Sequence, residues 1–265
     1  MRVLSLFSGI GGLDLGLEAA GMTVVGQSEV DPYACRVLAK HWPDVPNLGA
    51  IETITEADIE RLGPIDLVCG GFPCQDLSVA GKQAGIHAGR SGLFWELMRV
   101  VRLVGPRYVL LENVPALLSR SDWMGAVLGA LVESGFDAEW DCIPAQAVGA
   151  PHRRDRVFVI AVADADRAGL EEQRRPESAQ AQRPTAQRGG RRVAEPGLGR
   201  GTDGLSAWIH PARSPAFGHG WEDGLPRVAT GVPDRVARLR CIGNAVVPQV
   251  AEHVARIIMN KDDTP

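Results

Sequence analysis

The chain has 265 residues, 45% of them hydrophobic, with a net charge of -4. That is enough apolar material for one α/β domain with a small appendage, and it excludes a disordered chain. No run approaches the roughly eighteen apolar residues of a membrane span, and Met1-Arg2 leads directly into a strand without signal-peptide character, so no membrane partner and a cytoplasmic, nucleoid-associated setting are expected.

Val3 to Phe7 reads as a first strand, and Ser8-Gly9-Ile10-Gly11-Gly12 as a turn into a helix whose apolar positions Leu13, Leu17 and Ala20 recur until Gly21. A glycine-rich turn at a helix start can cradle a nucleotide, although the dinucleotide fingerprint would want glycine where Asp14 stands. Val24 to Ser28 predicts the second strand. Glu29 follows it, where Rossmann-like folds place an acid to accept hydrogen bonds from a ribose. Taken bare, turn and acid describe a tight strand-helix connection equally well. Asp31-Pro32 predicts an N-cap and first helical residue, opening a helix to about His41.

The apolar run Ile65 to Cys69 stops at Gly70-Gly71, which predicts a buried strand delivering the loop Phe72-Pro73-Cys74-Gln75 at its carboxyl end, where open α/β sheets place ligands. Asp66 reads as a strand-end residue. Pro73 restricts the backbone just before the Cys74 thiol, so the loop spends rigidity on aiming one nucleophile; a buried structural cysteine is the plain alternative. The other cysteines, Cys35, Cys69, Cys142 and Cys241, are scattered without a Cys-x-x-Cys pair, which argues against a disulfide framework and against a zinc site, and no metal is expected. Lys82 to Ser91 is a glycine-rich loop able to move. Leu93, Leu97, Val100, Val101 and Val104 then describe an amphipathic helix.

Tyr108 to Leu111 predicts another buried strand, ending in Glu112-Asn113-Val114, and a carboxyl at the mouth of a parallel sheet is costly unless solvated, paired or used. A helix over Trp123 to Ser134 and a strand over Glu139 to Ile143 follow. Arg153, Arg154 and Arg156 immediately precede the apolar strand Val157 to Val162, placing guanidinium forks at the sheet edge, suited to phosphate and to a base carbonyl or simply to a solvated turn. From Asp164 to about Pro226 periodicity disappears. Between Arg167 and Arg200 eight arginines face Glu171, Glu172, Glu177 and Glu195, a local basic excess in an acidic chain. Gly243 to Gln249 reads as an ordinary helix N-terminus before a final amphipathic helix carrying Val250, Val254, Ile257 and Ile258.

Phe72-Pro73-Cys74-Gln75, with Ser78 and Lys82 soon after, closely resembles the catalytic loop of the DNA cytosine-5 methyltransferases. Phe7 to Gly12 is similar to that family's S-adenosylmethionine motif, and Glu112-Asn113-Val114 matches its second signature. Arg154 and Arg156 stand at the two arginine positions of its Gln-x-Arg-x-Arg signature with His152 where Gln is usual, and Gly243 to Pro248 matches its last motif. Besides His152, two departures stand out: Ala50 occupies the place of an acid that contacts adenine, and the segment after Asp164 is reduced.

The resemblance implies an α/β fold, a doubly wound, mostly parallel, Rossmann-like sheet. It divides the chain into a catalytic and cofactor-binding domain at 1-163, a small target-recognition segment at 164-226 and a C-terminal return at 227-265. It implies a DNA cytosine-5 methyltransferase in which Cys74 adds to C6 of a flipped-out cytosine, Glu112 acts at N3, Arg156 holds the base carbonyl and Arg154 a phosphate or the loop. The implied holders of S-adenosylmethionine are Phe7, Ser8, Gly9, Gly11 and Gly12, then Glu29 and Val30, Ile51, Gly71 and Pro73, and finally Asn244, Ala245 and Val246. Phe72, Gln75, Ser78, Lys82, Arg90 and Asn113 are the implied substrate contacts. Double-stranded DNA is the expected partner and a monomer the expected state, with a cognate restriction endonuclease left open. An RNA cytosine-5 methyltransferase and a catalytically weak DNA-binding relic stand as alternatives.

Overall fold

The computed structural model describes residues 1-73, 92-119, 121-164 and 233-262. The chain divides into two units, Met1–Leu170 with Asp234–Pro265, and Glu171–Pro233; apart from Pro233 the described residues belong to the first. Most of the expected target-recognition segment, and the Cys74 loop, lie outside the described residues.

Among the described residues six strands form one sheet in the order β2-β1-β3-β4-β6-β5: β1 Arg2–Leu6, β2 Thr23–Ser28, β3 Leu67–Gly71, β4 Tyr108–Asn113, β5 Phe136–Pro144 and β6 Asp155–Ala163. The first four pair in parallel, and β6 runs antiparallel to both β4 and β5. The helices are α1 Gly12–Ala19, α2 Pro32–His41, α3 Glu56–Leu62, α4 Leu93–Val104, α5 Ser121–Glu133, α6 Arg235–Asn244 and α7 Pro248–Asp262. The mostly parallel α/β fold expected from the sequence is the fold observed. None of these helices is long and apolar enough to cross a membrane.

The strands read as near-continuous apolar runs because both sheet faces are covered. Val3, Leu67, Cys69, Tyr108, Leu110, Phe158 and Ile160 pack on one face with Leu13 and Leu17 of α1 and with Val250, Val254 and Ile258 of α7. The alternate residues Leu4, Leu6, Val68, Val109, Leu111, Val157 and Val159 face the other layer, against Phe94, Leu97 and Val101 of α4 and Val127 and Leu131 of α5. This period of two is the pleat of the strands, expressed twice.

Several boundaries follow from local chemistry. Asp31 caps α2, its Oδ1 accepting from Tyr33 N at 2.9 Å and Ala34 N at 3.1 Å, and Pro32 occupies the first turn as expected. Thr55 and Asp58 form a reciprocal capping box on α3. One reading changes: Gly243 and Asn244 close α6 rather than open α7, which begins at Pro248, whose missing N–H costs nothing in a first turn. The link between the two helices, Ala245 to Val247, is where the chain returns to the sheet edge.

Candidate active site

The carboxyl ends of β1, β2, β3 and β4 share one edge of the sheet, and the order reverses direction around β1, so a crevice opens between the β1-α1 turn and the end of β3. Because β6 runs the other way, it brings its amino end to that same edge. Asn113 pairs with Val157 and Glu112 with Phe158, which sets Arg156 beside the Glu112 carboxyl.

The β1-α1 turn takes positive φ at Phe7 (53°), Gly9 (57°) and Gly11 (80°). A Cβ on Gly9 would meet nothing within 4 Å, so the turn is open above. At Gly11 a Cβ would stand 2.4 Å from the Trp42 ring, and at Gly12 2.5 Å from the Val246 carbonyl oxygen, so glycine is required there for close approach. Glu29 gathers the turn: its Oε2 accepts from Gly9 N at 2.8 Å, and its Oε1 from Val30 N at 2.8 Å and Asp31 N at 2.7 Å. The Val30 side chain is exposed. Asn47, which the sequence did not single out, braces this corner by accepting from Glu29 N and Gly49 N and donating to the Glu29 carbonyl.

Beneath the turn lies Asp14. It is fully buried, accepting from Ser5 Oγ of β1 at 2.5 Å and from Gln27 Nε2 of β2 at 2.6 Å. Burial pushes its carboxyl up to about 6 although both hydrogen bonds favour the anion. Where a third glycine would complete a dinucleotide fingerprint, this chain has a polar peg tying its first two strands. Ala50 carries no carboxyl, and Asp66 is no substitute, since its Oδ2 accepts from Arg2 N at 2.7 Å at the opposite end of the sheet. Ile51 is placed in the core at 3% exposure, with Arg99 Nη2 donating to its carbonyl at 2.8 Å.

At the mouth of β4, Glu112 is 7% exposed. Arg156 Nε stands 2.9 Å from Glu112 Oε1, but no aligned hydrogen bond reaches that oxygen from any described residue, so the contact is an ion pair. Burial pushes Glu112 up to about 7, opposed by Arg156 and then Arg154. Gly71 lies against this carboxylate: a Cβ there would be 2.7 Å from Glu112 Oε2. The next signature residue serves the loop. Asn113 Nδ2 donates to the Phe72 carbonyl at 2.9 Å, and Phe72 is buried against Phe94 with ring centroids 4.9 Å apart. Both are implied substrate contacts; in the structure they are buried, and Asn113, at the end of β4, braces the backbone that runs from β3 through Phe72 into Pro73. Cys74, Gln75, Ser78, Lys82 and Arg90 lie outside the described residues.

Arg154, for which a phosphate or loop contact is expected, is placed against the C-terminal link. Its Nη2 donates to the carbonyls of Gly243, at 2.7 Å, and Ala245, because the amino end of β6 abuts the α6-α7 link. Arg156 Nη1 donates to the Asp155 carbonyl at 2.8 Å. Asn244 is exposed and Ala245 and Val246 half-buried at the same edge.

A parallel sheet with a reversed β6, a glycine turn and strand-end acid on one side and a buried carboxyl with an arginine on the other define a Rossmann-like methyltransferase fold. Residues 1-194 match the family model for C-5 cytosine-specific DNA methylase, and the chain belongs to that family. Over 167 residues it is 41% identical to the type II methyltransferase M2.BsuMI of Bacillus subtilis (strain 168), covering 61% of this chain and 42% of that protein. It is 36% identical over 177 residues to M.AquIA of Picosynechococcus, covering 60% and 71%. The chain thus spans less than half of the first relative's length. A putative DNA modification methyltransferase from an E. coli prophage shares the fold with a TM-score of 0.53 at 28% identity, over 63% of this chain and 48% of that one.

Proposed function

We propose that the protein transfers a methyl group from S-adenosylmethionine to C5 of a cytosine flipped out of double-stranded DNA, with Cys74 as the covalent nucleophile. The observation that carries this reading is the Glu112 edge: a carboxyl pushed up to about 7, paired with Arg156, and followed by an asparagine that holds the Phe72 carbonyl two residues before Cys74. Membership of the family supports it. So do the other four cysteines, Cys35, Cys69, Cys142 and Cys241, whose thiols burial holds above their ordinary value, which disfavours each as a thiolate.

The residues present fit the cofactor. The open Gly9 turn, the Glu29 carboxylate that accepts from Gly9 N at the end of β2 and the Val246 backbone against Gly12 form a cradle at the carboxyl edge of the sheet, where a ribose hydroxyl would find an acceptor. When bound, S-adenosylmethionine supplies an electrophilic methyl group. Cytosine C5 is a poor nucleophile until the Cys74 thiolate forms a bond to C6; Glu112, which holds a proton near neutrality, donates it toward N3 while Arg156 binds the base carbonyl. Electron density would then build at C5, the atom placed to accept the electrophilic methyl group that a cofactor held by the glycine turn and Glu29 would supply. Transfer of the C5 proton to a water would return an electron pair that expels Cys74 as thiolate, while N3 gives its proton back to Glu112. A positioned acid contributes ~10²–10⁴ in rate.

The test uses DNA with fluorine at C5 of the target cytosine. Fluorine cannot leave as a cation, so addition and methyl transfer proceed while elimination stops. A denaturation-resistant adduct that needs S-adenosylmethionine and maps to Cys74 is expected. Cys74→Ser should abolish it and Glu112→Gln should slow it strongly, with cofactor binding retained in both. Methylation of ordinary DNA by Cys74→Ser, or an adduct on another cysteine, would overturn the reading. Methylation of an RNA competitor in preference to DNA would reassign the substrate.

A further inference from the structure

The guanidinium of Arg154 occupies a place the proposed reaction does not account for. Arg154 stands at φ 37°, a backbone conformation uncommon for a residue with a side chain. That geometry directs Nη2 onto two carbonyls of the α6-α7 link, Gly243 O and Ala245 O. Gly243 belongs to the last turn of α6, whose carbonyls have no partner within the helix and carry partial negative charge, so a cation that donates to them is doubly favourable. The residue after the second carbonyl is Val246, whose backbone oxygen would lie 2.5 Å from a Cβ on Gly12, at the first turn of α1. A shallow recess between the link and β6 is lined by Arg154, Arg156 and Phe158 on one side and Val246 and Val247 on the other. One side chain therefore ties the strand that presents Arg156 to the segment that closes on the glycine turn.

We propose that Arg154 is a positioning residue for the cofactor pocket: it clamps residues 243-246 against Gly12 and so sets cofactor affinity from the base-binding side of the sheet. This rests on the reading of the glycine turn as the S-adenosylmethionine site. Its consequence is the reverse of a phosphate contact, because removing Arg154 weakens cofactor binding in the absence of DNA and leaves the ionic component of DNA binding intact.

The full chain is compared with Arg154→Ala, Arg154→Gln and Arg154→Lys, and with Arg153→Ala as a control for loss of a neighbouring exposed charge. Calorimetry without DNA should show S-adenosylmethionine bound more weakly by on the order of tenfold in Arg154→Ala and Arg154→Gln. Arg154→Lys should be intermediate, since an ammonium reaches one carbonyl more readily than two, and Arg153→Ala should match the wild type. Amide hydrogen exchange should rise over 243-250 and not in β1. The slope of log DNA affinity against log salt should be unchanged. Cofactor affinity within twofold of wild type in Arg154→Ala and Arg154→Gln would overturn the proposal, as would a slope reduced by ~0.9, the signature of one lost phosphate contact. Should the wild type bind no S-adenosylmethionine, the cofactor reading fails, and the clamp itself is then decided by exchange over 243-250.

Discussion

Two buried carboxyls stand at this sheet edge, and their environments give them different tasks. Glu112 lies at the mouth with an arginine at its side, so its raised value keeps a proton available near neutral pH. Asp14 is sealed under the glycine turn with two hydrogen-bond donors. Its value rises on folding from 3.8 to about 6, so the native state holds a proton that the unfolded chain has lost. The stability it contributes is therefore fully present below about pH 4 and is lost as pH rises through about 6, a loss of roughly 3 kcal/mol. Asp14→Asn removes this titration, and a flipped Gln27 amide can keep both hydrogen bonds. Urea unfolding at pH 4.5 and 7.5 should show the variant gaining on the wild type as pH rises, by up to that amount. An unchanged difference between the two pH values would show that Asp14 does not titrate as its burial requires.

At the scale of elements, the decisive contact is α1 on α7. Gly16 is required there: a Cβ would stand 2.4 Å from both Ala251 Cβ and the Pro248 carbonyl oxygen. Gly125 and Gly129 on α5 are exposed, with nothing within 4 Å of an added Cβ. The same substitution should therefore have opposite signs. Gly125→Ala relieves the backbone entropy of a helical glycine and should stabilise by about 1 kcal/mol, whereas Gly16→Ala meets backbone and should destabilise by ~1–3 kcal/mol. Denaturant midpoints for the two variants check this, and a stabilised Gly16→Ala would mean that α7 does not pack as described.

At the scale of the molecule, the unit that carries the sheet is assembled from both ends of the chain, with α7 covering the face of the sheet that α1 begins. We propose that residues 164-226 act as the target-recognition segment. They are rich in arginine and poor in large anchors. DNA binding should then be strongly salt-dependent and methylation relaxed in sequence. Bisulfite sequencing of DNA from expressing cells should show many short sites. Methylation confined to one site of about six base pairs or more would contradict this.

The sequence by itself determined the strands, the glycine turn with Glu29, the Glu112 strand end and the family, because these rest on local apolar runs and on motifs whose spacing is carried by the backbone. Arg154, Asp14 and Asn113 show what it could not decide. Each was visible as a residue, but its partners lie 89 and 91, 9 and 13, and 41 positions away. Only the tertiary structure decided that Arg154 holds the C-terminal link, that Asp14 joins two strands and that Asn113 fixes the entry to the Cys74 loop. The physical reason is the order of the sheet: parallel pairing sets β1 beside β2 and β3 beside β4, and the reversal of β6 with the return of α7 sets Arg154 on the link, so polar groups distant in sequence meet where burial leaves each only a few partners.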